Sequence, residues 1–197
     1  KQKNMQQKDI QTAIDYKKNV ASKFMLVEGA KIKSRLAGES FWVTRKIDGH
    51  MQCLFYEDGQ VFMLNSNGKQ RANQLKCMDM FAGFMGKAGV STAVMAAELY
   101  LPREEGRPRC GDVARALADD TLRDQLSLAV FDIISINGEA FCPQNYGEVH
   151  TKLVELLRLK AQNKEGKTVY KTTRLCTPVE MRQVAGIDEV KQIYQEW

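Results

Sequence analysis

Histidine, proline and paired cysteine are all scarce in this sequence. Its 197 residues include two histidines, four prolines and five cysteines. The cysteines stand at 53, 77, 110, 142 and 176, and no two form a Cys-x-x-Cys pair. That spacing argues against a zinc centre and against a disulfide framework, and it fits a reducing, intracellular compartment, cytoplasmic or nuclear. No apolar run approaches ~18 residues, so no membrane span and no membrane partner are expected. The opening KQKNMQQKDIQ lacks the apolar stretch of a secretory signal. Neither a P-loop nor a G-x-G-x-x-G is present, which excludes those two phosphate cradles. Internal repeats and low-complexity tracts are absent as well. What remains is an ordinary globular composition, 44% apolar and 27% charged, of a length suited to one domain or slightly more.

The net charge of +5 is unevenly spread. Residues 1–40 carry 9 basic and 4 acidic side chains, residues 41–150 carry 11 and 14, and residues 151–197 carry 9 and 6. Two basic flanks thus enclose a slightly acidic middle. Solvated helix faces would give that pattern, and so would a nucleic-acid footprint.

The periodicity predicts a helix over 5–20 through Ile10, Ile14 and Lys17. From Phe41 the period changes to two, and FWVTRKI, HMQCLFY and QVFML read as strands. Asp58-Gly59 suits the positive φ angles of a hairpin turn between the last two, and Asn67-Gly68 closes the third strand. Residues 72–88 predict a helix with Leu75, Met78, Phe81 and Met85 on its core face. TAVMAAELYL and LSLAVFDIISI are apolar enough to be strands buried on both faces, with a loop and a polar helix over 112–124 between them. A helix over 148–162, a strand over 167–176 and a last helix beginning at Thr177-Pro178 complete the chain. The order is α+β with largely antiparallel sheets.

The most promising chemistry is Lys46-Ile47-Asp48-Gly49 at the end of the first strand. Strict alternation puts Lys46 and Asp48 on one face, with Arg45 and Ile47 on the other. Gly49 allows a sharp turn or a close approach to a ligand. A lysine nucleophile must be neutral to attack, and its ordinary pKa of about 10.4 leaves well under about 1% neutral at pH 7. As a lone feature, Lys-x-Asp-Gly is a plain strand end with an exposed lysine. Asn65-Ser66-Asn67-Gly68 alone is a plain turn. Glu98 lies inside an apolar strand, where a carboxylate needs a hydrogen-bond partner, structural or from a ligand. Phe131, near a strand end, is a core residue by default, yet an aromatic there can stack on a base. His50 and His150 lack a serine or cysteine partner motif, and Glu104, Glu105, Asp119 and Asp120 read as solvated loop carboxylates.

In order, KIDG, NSNG, AAELYL and LAVFDIISINGEAF resemble the motifs of the covalent nucleotidyltransferases, most closely the adenylation domain of ATP-dependent DNA ligases. The resemblance covers about residues 22–197, with residues 1–21 as a helical lead-in. It implies that Lys46 attacks the α-phosphorus of ATP with Mg²⁺ assistance, forming lysyl-AMP for the sealing of nicked duplex DNA. It implies further that Glu98 binds a ribose hydroxyl, that Phe131 stacks on adenine, and that Asp48 and Gly49 shape the lysine turn. Backbone groups near Thr44 and Arg45 would read adenine. No resident metal ligand is assigned. Two departures stand out: Met51 and Ser66 occupy positions where the family pattern has arginine, and Arg71 or Lys69 are the candidate substitutes. Glu165-Gly166-Lys167 lies in a polar turn and is not the family's Glu-Gly-x-x-x-Lys strand, so the chain is expected to stop one element short of it. RNA ligase or capping-type chemistry, or a non-catalytic binding module, are the alternatives.

Overall fold

The computed structural model describes residues 6–36, 38–162, 164–165, 168–171 and 173–197. Helix α1 (Gln7–Asn19) opens on a local cap, in which the Asp9 carboxylate accepts the Gln6 N–H at 3.1 Å. After the short α2 (Ile32–Arg35), strand β1 (Ser40–Thr44) stops earlier than its β-branched run to Ile47 predicts. Its partner explains this: Thr44 lies opposite Met181, the first residue of the opposing strand, and the Arg45 N–H then turns to the Glu180 carbonyl at 3.0 Å. Strands β2 (His50–Glu57) and β3 (Gln60–Asn65) form the expected hairpin, and α3 (Lys76–Lys87) buries Met78, Phe81 and Met85, with Leu75 just ahead of it. Strand β4 (Thr92–Tyr100) follows. The polar helix expected over 112–124 is two helices, α4 (Cys110–Leu117) and α5 (Asp120–Arg123). Asp119 divides them, its carboxylate accepting the Thr121 and Leu122 N–H groups as the cap of α5.

Strand β5 (Ser127–Ile136), the short β6 (Glu139–Ala140) and α6 (Tyr146–Leu156) come next. They are followed by β7 (Leu159–Gln162), β8 (Thr168–Lys171), β9 (Cys176–Pro178), β10 (Met181–Ala185) and α7 (Ile187–Glu196). Three expectations are corrected here. The helix predicted over 148–162 ends at Leu156, and residues 159–162 pair with β8 instead. One strand expected over 167–176 is two, β8 and the start of β9; Gly166, Lys167 and Thr172 lie outside the described residues. Thr177-Pro178 starts no helix: β9 runs parallel to β5, β10 runs antiparallel to β1, and the helix begins only at Ile187. Pairing outweighs local preference in that segment. Val179 and Val184 are buried by it, and Pro178 falls at the end of a short edge strand, where its missing N–H removes no ladder bond.

The architecture is α+β with largely antiparallel sheets, as the element order predicts. The main sheet runs β3-β2-β4-β5-β6, with β9 beside β5 at the same edge as β6. On one face, α3, α4 and α6 pack on Leu54, Met95, Leu99, Leu128 and Ile133 to make the large core. On the other, α1 presents Ala13 and Tyr16 to Cys53, Phe55, Phe62, Leu64 and Ala96. Phe55 and Phe62 stack beneath the helix with ring centroids 4.9 Å apart. A small separate cluster of Ile32, Val184, Val190 and Ile193 joins α2, β10 and α7. Among the described residues, no helix is long and apolar enough to cross a membrane.

Candidate functional site

The site is built where the chain passes from β1 into β2. Met51 of β2 pairs with Glu98 of β4, and His50 pairs with Leu99, so residue 49 is forced against the β4 backbone. A Cβ on Gly49 would stand 2.2 Å from the Leu99 carbonyl oxygen and 3.1 Å from Glu98 Cγ, and only glycine fits. In return, the Gly49 N–H donates to Glu98 Oε1 at 3.1 Å. Burial pushes the Glu98 carboxyl up to about 7, against the lowering effects of that hydrogen bond, Lys46 and Lys17; Asp48 pushes it further up. One carboxylate oxygen is thus held by the lysine turn.

Strand β5 adds a second device. Ala96 pairs with Asp132 and Ala97 with Val130, so Phe131 is an extra residue in the ladder, a β-bulge. Strict alternation would send Asp132 into the large core, on the side of Val130. The bulge instead leaves both Phe131 and Asp132 toward the α1 face. There the Tyr16 hydroxyl donates to Asp132 Oδ2 at 2.7 Å, and the Ile133 N–H donates to Oδ1 at 2.8 Å. Burial raises the Asp132 carboxyl despite these bonds, and burial together with Asp132 pushes the neighbouring Cys53 thiol up to about 12. Tyr146, in the first turn of α6, donates its hydroxyl to the Phe131 carbonyl at 2.8 Å. The bulged residue is therefore tied down by its own backbone.

These elements surround a cavity of about 1000 Å³. Every candidate site residue lines it: Thr44, Arg45, Lys46, Asp48, Gly49, Glu98 and Phe131. So do the departing positions Met51 and Ser66. Of the two candidate substitute cations, Arg71 lines the cavity, while Lys69 does not contribute to its wall. The expected division of faces fails at the lysine segment. Arg45 and Ile47 line the same cavity as Lys46 and Asp48, because β1 has ended at Thr44 and alternation no longer applies. The Arg45 N–H is engaged by Glu180, which removes that donor from a ligand's reach. The turn after β3 is rigid: Asn65 Oδ1 accepts the N–H groups of Asn67 and Lys69, each at 3.0 Å. His50 lines the cavity, whereas a ring nitrogen of His150 lies 2.9 Å from the Val179 carbonyl oxygen. Among the described residues, no group of three or more His, Cys, Asp or Glu side chains is placed to hold a metal ion.

Sequence reasoning passed over Lys17, Trp42 and Tyr146, all of which line the cavity. Lys17 follows the buried Tyr16 on α1, and its signal was only its place in the helical pattern. Trp42 had a usable signal, an aromatic side chain on a strand next to the lysine turn. Tyr146 had none, since its role depends on the bulge at Phe131.

No protein-family model and no curated protein matches the sequence. Solved structures similar to it include the ligase domain of M. tuberculosis LigD, with 16% identity and a TM-score of 0.48, over 60% of this chain and 37% of that one. Another is a mycobacterial DNA ligase D complexed with ATP and MES, with 17% identity and a TM-score of 0.48, over 73% of this chain and 40% of that one. The chain thus spans about two-fifths of the length of the solved chains it is similar to.

Proposed function

We propose that the chain is the nucleotide-binding part of an ATP-dependent DNA ligase, with Lys46 as the nucleophile that takes up AMP. The observation that carries this reading is the convergence of Lys46, Glu98 and Phe131 on one cavity large enough for a nucleotide. They come from three separate segments, in the order in which the sequence resembles the adenylation domain.

In this reading, the Lys46 amine lone pair attacks the α-phosphorus of ATP. A nitrogen–phosphorus bond forms, the bond to the β-phosphate oxygen breaks, pyrophosphate leaves, and the ammonium proton goes to solvent. Glu98, with Oε1 held by the Gly49 N–H, keeps its other oxygen to accept from a ribose hydroxyl. Phe131 offers its ring to adenine. Asp48 shapes the turn from which Lys46 projects. AMP then passes to a 5′-phosphate at a nick, and the adjacent 3′-hydroxyl displaces it. The described residues offer no cluster for a resident Mg²⁺, so no step is assigned to a protein-held metal.

The test is intact-mass analysis after incubation with ATP and Mg²⁺. Gain of one AMP, abolished by Lys46→Ala, is the expected result. The absence of AMP on the parent protein under the same conditions would overturn the proposal. Uptake of GMP from GTP in place of AMP would turn the reading toward capping chemistry.

A further inference from the structure

The lead-in helix supplies part of the cavity wall. Three contacts dock α1: its apolar face on Phe55 and Phe62, the Tyr16 hydroxyl on Asp132, and Ile10 on the turn after β3. The last contact is close. Gly68, at φ +69, leaves room for Ile10, whose Cγ2 would lie 2.5 Å from a Cβ at that position. The helix therefore bridges the 65–68 turn and the bulge at Phe131, two stretches of wall that belong to different strands.

Immediately after the Tyr16 clamp, Lys17 stands exposed at the cavity. Among the described residues four cations line that space: Arg45 and Lys46 lie between β1 and β2, Arg71 follows β3, and Lys17 comes from α1. Its charge, like that of Lys46, works against the upward push of burial on the Glu98 carboxyl. Positions 51 and 66, on the neighbouring wall, hold Met and Ser and contribute no charge. A triphosphate in this cavity needs cationic neighbours beyond the lysine that reacts, and Lys17 is anchored where it can provide one.

Resting on the nucleotide reading above, we propose that Lys17 is a substrate-binding residue contacting the phosphate–ribose part of a nucleoside triphosphate, held in place by the Tyr16–Asp132 hydrogen bond. The full chain and its Lys17→Met and Lys17→Arg variants would be titrated with ATP at about 50 mM and about 0.5 M salt, since screening separates a charge contact from packing. Lys17→Met is expected to weaken ATP binding roughly three- to tenfold at low salt. The deficit should shrink at high salt, the arginine variant should restore affinity, and the melting temperature should stay unchanged. Tyr16→Phe should weaken ATP binding in the same salt-dependent way. An affinity of Lys17→Met within about twofold of the parent, or a deficit indifferent to salt, would overturn the inference while leaving the nucleotide reading intact. Failure of the parent chain to bind ATP would instead sink that reading, and this inference with it.

Discussion

Replacing Glu98 by glutamine should make the folded chain more stable above neutral pH while removing a function. The side chain lies half-buried, on the α1 face of β4, and its carboxyl is raised from an ordinary value of 4.5 to about 7 by burial. A group that binds its proton more tightly when folded makes the folded state progressively less favourable as pH rises from the unfolded value to the folded one. Below about pH 4.5 both states are protonated and the effect vanishes; above about pH 7 it is complete. At about 1.4 kcal/mol per pH unit the whole interval corresponds to about 3 kcal/mol. Partial exposure to solvent reduces this to roughly 1–2 kcal/mol. Glutamine keeps an oxygen able to accept the Gly49 N–H and carries no charge to desolvate. Thermal melting of parent and variant across pH 4.5–8 should show curves that meet at the acid end. Near pH 8 the variant should lead by about 3–6 °C. A constant offset across pH, or a variant less stable at pH 8, would refute the reasoning. The same variant should form less lysyl-AMP, because its amide is a poorer acceptor for a ribose hydroxyl than a carboxylate.

Gly49→Ala should cost more than about 2 kcal/mol in denaturant unfolding, because its methyl would overlap the Leu99 carbonyl oxygen at 2.2 Å. Tyr16→Phe leaves the half-buried Asp132 one donor short and should lower stability by about 1–2 kcal/mol, with faster amide exchange in α1. Gly68→Ala combines a positive φ with a clash against Ile10; it should cost about 1–2 kcal/mol and loosen the same helix, read by the same exchange experiment.

Much of the main sheet was legible because its strands are long, apolar and closed by turn residues. The β2–β3 hairpin follows from Asp58-Gly59 between two apolar runs that carry aromatic residues, and α3 follows from apolar residues at helical spacing. Apart from the helix expected over 112–124, which the Asp119 cap divides, the misreadings share one cause. Residues 159–162, 176–178 and 181–185 become strands only because a partner strand lies beside them, and single-sequence periodicity carries no information about partners. β1 likewise ends where β10 begins to pair, a boundary set by residues far along the chain. The alternation argument for Lys46 and Asp48 failed for that reason, although both residues reach the expected cavity.

The bulge in β5 makes the sharper case. The run LAVFDIISI gives no sign that two residues, Phe131 and Ile134, are extra, because the apolar residues around them are compatible with a regular buried strand. Yet the extra Phe131 decides the chemistry of the face. In a regular ladder Asp132 would enter an apolar core with no donor from Tyr16, an arrangement that burial makes costly. With the bulge, Asp132 becomes the anchor for α1, Phe131 faces the cavity, and the Phe131 carbonyl becomes free to accept from Tyr146. One irregularity thus couples three parts of the wall: the helix before the sheet, the aromatic on the strand, and the helix after it. The strand motif names Phe131, but the bulge connects that residue to Lys17 through the Asp132–Tyr16 bond, a link between two residues that no local pattern relates.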